Sequence, residues 1–334
     1  MTGGRETVEV KKVFRGIVGF SISGILLVMA FYKTPFSEVV AAIKEVNPAA
    51  VSSSVAMFGL SCFFRALMWR VTTKPLGRVK FSTLFGGVVV GYMANNVLPM
   101  RAGEMVRAYY LTARTETPLA ASLATIFIER AYDVFSLGLL LAAALISGVQ
   151  GIAPDKARAA LFFLAIISAG IIVLADVLAR YHAHLGKIFF FEPIMERLKE
   201  FVRPLNRLRD FKTAFVLGAL SLIAWFSNYL SMLVLVRGIA VSPLEASLLL
   251  LLFVNLGLLV PSSPGAFGVM QAAFWLALAP FGVPKEQGLA LSFAYQGGLY
   301  LFTLAVGLPY FLRAQLRAGS WREAPVGNSK ALHR

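Results

Sequence analysis

Apolar runs of about 20 residues recur along this chain, near 13–32, 49–70, 118–149, 158–179, 213–236 and 287–312. Each is long enough to cross the hydrocarbon core of a bilayer. Lipid offers no hydrogen bonds to the backbone, so spans of this kind must be helical. The expected fold class is therefore an all-α polytopic membrane protein with about six full transmembrane helices. Only 15% of residues are charged against 58% hydrophobic, where a soluble domain carries about 25% charged residues.

Two further apolar stretches, about 81–113 and 244–281, are interrupted. The first breaks at Asn95-Asn96-Val97-Leu98-Pro99-Met100-Arg101-Ala102-Gly103-Glu104 and continues through Arg107. The second breaks between Asn255 and Gln271, through Pro261-Ser262-Ser263-Pro264-Gly265-Ala266-Phe267-Gly268. Irregular backbone at membrane depth is tolerated only inside protein or along a wet cavity. Basic flanks at Lys80 and Arg114 place both ends of the first stretch on the cytoplasmic side, as a re-entrant hairpin. Counting crossings brings the second in from the opposite side. The breaks share an Asn, an aliphatic-Pro pair, a Gly and a Glu or Gln. Interrupted segments at matching positions of two inverted halves point to a transporter's binding site, and helices starting near Gly103 and Gly268 would turn positive dipole ends toward an anion.

Net charge is +15, from 32 Lys and Arg against 17 Asp and Glu. The basic residues gather between and after the apolar runs. There they read as cytoplasmic loops facing anionic lipid, not as a nucleic-acid surface. This puts both termini in the cytoplasm, and the expected location is a bacterial cytoplasmic (inner) membrane. Residues 1–320 form one integral membrane domain, with a first span that is not cleaved. Within it, 33–48 suits a short interfacial helix and 180–212, with eight Lys and Arg against four acids, an amphipathic cytoplasmic helix. Residues 321–334 form a basic, flexible tail.

Charges within the apolar runs are costly, about 2.5–3.5 kcal/mol each on insertion scales, and mark functional sites by default. Glu129, Arg130 and Asp133 lie in the middle of 118–149, with Arg130 at i, i+3 to Asp133 and able to pair with it. They serve either to lock helices together or to line a substrate path. Arg65, four residues before Trp69, is expected to snorkel to the nearby interface. Cys62 lies in an apolar segment, the three histidines lie outside the spans, and no G-x-x-x-x-G-K-[ST] occurs. No metal, nucleotide or other cofactor is expected, and no catalytic residue.

Four motifs in order carry a family resemblance: Arg65-x3-Trp69-Arg70, N-x-L-P-x-R-x-G-E-x-x-R from Asn96 to Arg107, E-R-x-x-D from Glu129 to Asp133, and P-x-S-P-G-x-x-G from Pro261 to Gly268. In these the chain resembles the transmembrane, flippase-like domain of lysylphosphatidylglycerol synthases and their stand-alone relatives. The resemblance spans nearly the whole chain and implies re-entrant segments and translocation of a lipid between leaflets. Met100 stands where the family often has Gly, and Gln271 where it often has Glu, which leaves Glu104 as the titrating group. About 20 residues follow the last span, so the soluble synthase domain is not expected.

The resulting expectation is a lipid transporter and not an enzyme. Arg101, Arg107 and Arg130 attract an anionic or zwitterionic head group, while Glu104 and Asp133 keep them paired when the site is empty. Asn96, Pro99, Gly103, Glu129, Asn255, Pro261, Ser263, Pro264, Gly265, Gly268 and Gln271 complete the site. Phospholipid, hopanoid-type and polyprenyl-linked head groups all fit, and a homo-oligomer stays open. The alternatives are a membrane-embedded lipid-modifying enzyme and a non-transporting scaffold.

Overall fold

The structure, a computed structural model, describes residues 19–98, 102–115, 117–146, 210–260 and 262–317, with isolated positions between 147 and 209. The expected span at 158–179, nearly all of the 180–212 segment and the 321–334 tail lie outside these residues. The described residues are helical, without strands.

Among the described residues, ten α-helices position the site. They are α1 (Gly19–Phe31), α2 (Phe36–Glu45), α3 (Pro48–Thr73), α4 (Phe81–Val97), α5 (Gly103–Thr115), α6 (Leu119–Ile146), α7 (Phe211–Val236), α8 (Pro243–Gly257), α9 (Val269–Leu278) and α10 (Lys285–Arg317). Local chemistry starts several of them. Asn47 accepts the Ala49 N–H at 2.9 Å ahead of Pro48 in α3, and Asp210 accepts from the Thr213 N–H at 3.1 Å in α7.

Among the described residues, four stretches are long and apolar enough to cross a membrane: Pro48–Leu76, Phe211–Val236, Pro264–Phe281 and Lys285–Ala314. Counting α1 and α2, which meet at an 82° bend, raises this to five. The expected six is therefore not reached among the described residues. One expected span lies outside them, only 19–31 of the first is described, and α6, although 28 residues long, carries Glu129, Arg130 and Asp133. Phe215 and Phe226 on α7 and Leu301 and Leu304 on α10 are exposed, as suits helix faces turned to lipid.

The interrupted stretches each fold into two helices lying side by side. In the first, Gly103 opens α5 against the Gly91 carbonyl of α4, and further along α5 Tyr110 reaches Gly86 and Gly87. This register makes α4 and α5 antiparallel. A Cβ at Gly103 would collide with that carbonyl and with Asn95, so the close approach requires glycine. In the second, Gly257 at the end of α8 faces Val269 and Ala273 of α9. The Val241 N–H donates to the Phe281 carbonyl at 3.2 Å, which closes the base of that pair.

Helix α10 is the rail on which both pairs sit. Tyr310 lies against Gly86, Gly307 against Met93, and Thr303 beside Asn96, so α4 runs antiparallel to α10 from its C-terminal end. From the other end, Gly288 faces Trp275 and Gln296 bonds Gln271. Lys285–Ala314 measures about 45 Å at 1.5 Å per residue. The tips of the two pairs meet near its midpoint, where Gly265 lies close to the Asn96 carbonyl and to the Tyr300 hydroxyl.

The largest apolar cluster joins α6 through α10, with Leu249, Leu250, Leu251, Phe274 and Leu278 at its centre. A second, around Trp69, Leu84, Val88 and Leu111, joins α3, α4 and α5. Reciprocal serine bonds pin α3 to α7: Ser54 Oγ donates to the Ser231 carbonyl at 2.7 Å, and Ser231 Oγ to the Ser54 carbonyl at 2.9 Å. Such pairs satisfy hydroxyls that would otherwise be buried without partners and let the backbones approach closely.

Candidate functional site

The polar centre is an ionic network of three arginines and three carboxylates from α3, α5 and α6. Glu129 and Asp133 share one face of α6. Glu129 receives both terminal nitrogens of Arg107, at 2.7 and 2.6 Å. Asp133 receives Arg65 Nη1 at 3.0 Å on each oxygen, and Trp225 Nε1 from α7 at 2.8 Å. Arg65, Arg107, Glu129 and Asp133 are buried, at 4, 5, 0 and 7% exposure. Desolvating four charges is tolerated because each carboxylate receives two contacts from a guanidinium, two nitrogens of Arg107 on Glu129 and one nitrogen of Arg65 shared by both oxygens of Asp133.

Aromatic rings seat two of the guanidiniums. Arg107 lies 3.8 Å from the centre of the Trp69 ring, and Arg65 lies 5.9 Å from that of Trp225. Trp69 is fixed in turn by donating Nε1 to Thr125 Oγ1 at 2.8 Å.

The Arg65 side chain does not reach outward, being 5% exposed. Helix α3 runs on to Thr73, two turns beyond it, which sets Arg65 about 12 Å inside the helix end. With Asp133 at the same depth, the guanidinium turns inward and the snorkelling expectation fails.

The third arginine is different. Arg130 contacts Asp133 at 3.0 Å, Glu104 at 3.4 Å and Glu129 at 3.9 Å. Its side chain is 35% exposed and that of Glu104 44%, while the other four are at most 10% exposed. The network thus has a closed end, Arg65–Asp133 and Arg107–Glu129, and an open end, Arg130–Glu104, on the first turn of α5.

A second polar layer ties the hairpin tips to α10. Asn96 Nδ2 donates to Thr303 Oγ1 at 2.8 Å. Gln296 Nε2 and the Tyr300 hydroxyl both donate to the Gly265 carbonyl, at 2.6 and 2.9 Å. Gln271, fully buried, accepts the Gly268 N–H at 2.7 Å and donates to Gln296 Oε1 at 2.8 Å. Gly265 and Gly268 hold φ of +71° and +83°, a region open to glycine, and the Gly268 position lies against the Ser23 carbonyl of α1. Ser23 Oγ also accepts the Ser263 N–H at 2.9 Å.

These bonds change what the helix starts present. Asn95 Oδ1 accepts the Gly103 N–H at 2.8 Å, and Gln271 accepts that of Gly268. The leading N–H of each half-helix is therefore occupied within the chain. Asn255 folds back on its own helix, donating to the Leu251 carbonyl at 2.8 Å. Pro264 opens a short 3-10 turn, Pro264–Ala266. Pro99, Arg101 and Pro261 lie outside the described residues.

Sequence reasoning did not select Arg65, Trp225, Ser23, Gln296, Tyr300 or Thr303. The last three recur at i, i+4 and i+7, a polar stripe along one face of an otherwise apolar helix.

The glycosyltransferase AglD of Haloferax volcanii is 26% identical over 298 residues, covering 76% of this chain and 47% of its own length. A UPF0104 membrane protein of Methanocaldococcus jannaschii is 30% identical over 112 residues, a third of each chain. The chain thus spans half or less of the length of these relatives. The first is named as an enzyme, and on that finding the expectation of a chain without enzymatic activity is withdrawn. The model of the lysylphosphatidylglycerol synthase TM region matches residues 16–307, and this multi-pass, lipid-related membrane protein belongs to that family.

Proposed function

We propose that the chain moves the head group of an anionic or zwitterionic lipid between leaflets, along the polar seam between its two hairpins. In this reading both hairpins are re-entrant and the two halves are inverted repeats. The first hairpin opens to the cytoplasm, where both termini lie, across a bacterial inner membrane. Lipid tails stay in hydrocarbon throughout.

The observation that carries the proposal is the exposed Arg130–Glu104 pair beside a buried, satisfied network. Arg130 is shared by three carboxylates, none with doubled contacts, so a phosphate can compete for it by charge-assisted hydrogen bonds. Glu104 is then displaced and free to meet the cationic part of a zwitterionic head. Arg107 acts through Glu129 and holds the geometry. Arg101 joins the site by its place in the sequence, two residues before Gly103.

The test uses Glu104→Gln and Arg130→Gln proteins reconstituted into vesicles with head-group-labelled lipid. Translocation is expected to slow roughly tenfold, the scale of one lost charge-assisted bond. Wild-type rates in both variants would sink the proposal.

A second reading is favoured by the name of the Haloferax volcanii relative. Here the same seam holds a lipid-linked acceptor or donor while a sugar is transferred. It predicts a change in the mass of a polyprenyl-linked lipid offered together with an activated sugar, which transport alone does not.

A further inference from the structure

The base of the α4–α5 hairpin, at the far end from the tip seam, contains a cavity of about 460 Å³. It is lined by Arg78, Lys80 and Arg114, by Thr83 and Thr115, and on one side by Ala314 of α10. Its volume falls in the range that holds a small ligand. Three cations face it, and its lining contains no carboxylate.

Local structure explains why the charges converge. Residues 77–80 form an irregular link between the 3-10 turn Lys74–Leu76 and α4, with Lys80 in extended backbone at its end. Val79 packs on the apolar cluster of Trp69, Leu84 and Val88, while Arg78 and Lys80 on either side of it line the cavity. Arg114 arrives from the last turn of α5. There it lies 4.7 Å from the centre of the Tyr110 ring and donates to the Tyr310 carbonyl at 3.4 Å. Among the described residues no carboxylate pairs with any of the three. Helix α4 also begins here, after Lys80, with no side chain capping its first N–H groups. Its positive dipole end adds to the cationic field.

We propose that this cavity is a second anion site, distinct from the Arg130–Glu104 seam, that binds a phosphate group at the hairpin base. Head-group phosphate of an anionic lipid and free phosphate share the required chemistry. Binding there bridges the 78–80 segment, α4 and α5, and so holds the hairpin closed at its base.

The experiment compares the wild-type chain with Arg78→Gln/Lys80→Gln and with Arg114→Gln, which lies on a separate element. Two probes are offered. One is phosphatidylglycerol in phosphatidylcholine nanodiscs, read by native mass spectrometry of retained lipid. The other is inorganic phosphate at constant ionic strength, read by calorimetry. Loss of about tenfold in retained phosphatidylglycerol in both variants, with no phosphate binding, assigns the site to lipid. The same loss seen with inorganic phosphate assigns it to the free anion. Arg114→Lys, which keeps the charge, is expected to restore most of the binding. Equal behaviour of wild type and both charge-removing variants toward both probes would overturn the proposal. Arg78, Lys80 and Arg114 lie outside the Arg130–Glu104 seam, so failure of the transport reading leaves this result interpretable.

Discussion

Arg107 sets the two ends of its guanidinium on the two oxygens of Glu129, 22 residues away on the next helix, and its flat face on the Trp69 ring. The pair is closed on every side. Removing one partner leaves a buried charge with no compensation, which typically costs about 3–5 kcal/mol. Glu129→Gln is therefore expected to lower stability by that amount in detergent denaturation. Replacing both at once, Arg107→Met with Glu129→Leu, is expected to cost much less. If Glu129→Gln melts like the wild type, the closed end is not what holds α5 to α6.

The open end separates stability from function. Arg130 is a third exposed and its contacts are shared, so Arg130→Gln is expected to cost within about 1 kcal/mol, as for a solvated ion pair. Arg65→Met strips Asp133 of a buried partner and is expected to cost several times more. Melting curves and translocation rates on the same preparations check this. The expected pattern is a stable, slow Arg130→Gln protein and an unstable Arg65→Met protein.

Gly103→Ala tests the hairpin itself. The added Cβ meets the Gly91 carbonyl and the Asn95 amide, which are backbone and a bonded side chain and cannot yield cheaply. Overpacking of this kind costs about 1–3 kcal/mol. Gly24→Ala in α1 is the control, because nothing lies within 4 Å of its Cβ position. There the helix gains roughly 0.5–1 kcal/mol from the loss of glycine's freedom. Equal melting shifts for the two substitutions would mean that α4 and α5 are not in close contact.

The two breaks were legible because proline and glycine interrupt apolar runs, and the charges of α6 because ionisable residues stand out in hydrocarbon. Arg65 was not. Its partner Asp133 is 68 positions away, and its depth depends on where α3 ends, which apolar composition fixes poorly. The Gln296, Tyr300 and Thr303 stripe has helical spacing, yet uncharged polar residues in a span are common enough to pass as packing. What they bind, the Gly265 carbonyl and Asn96, is set by tertiary contact alone. The occupied N–H groups of Gly103 and Gly268 were hidden for the same reason. Asn95 and Gln271 are near them in sequence, but only the fold of each tip decides that those amides turn inward.

Gln271 is the position at which this last point becomes measurable. Its Oε1 accepts from Gly268 and its Nε2 donates to Gln296, whose own Nε2 then holds the Gly265 carbonyl. Gln271→Glu keeps the acceptor for Gly268 but has no donor for Gln296 Oε1. Gln296 must turn its amide toward the new carboxylate, and the Gly265 carbonyl keeps only the Tyr300 hydroxyl. Tyr300→Phe removes that donor instead. Tyr300→Phe is expected to cost about 0.5–1.5 kcal/mol, the net worth of a hydrogen bond, and Gln271→Glu more, because it also places a carboxylate at a fully buried position. The double variant leaves the carbonyl with neither donor, so its cost is expected to exceed the sum of the singles, as coupled partners of one group do. Hydrogen exchange across Ser263–Gly268 should quicken in the same order. Strict additivity, with unchanged exchange at the tip, would show that the second hairpin is held to α10 by apolar packing and not by this relay.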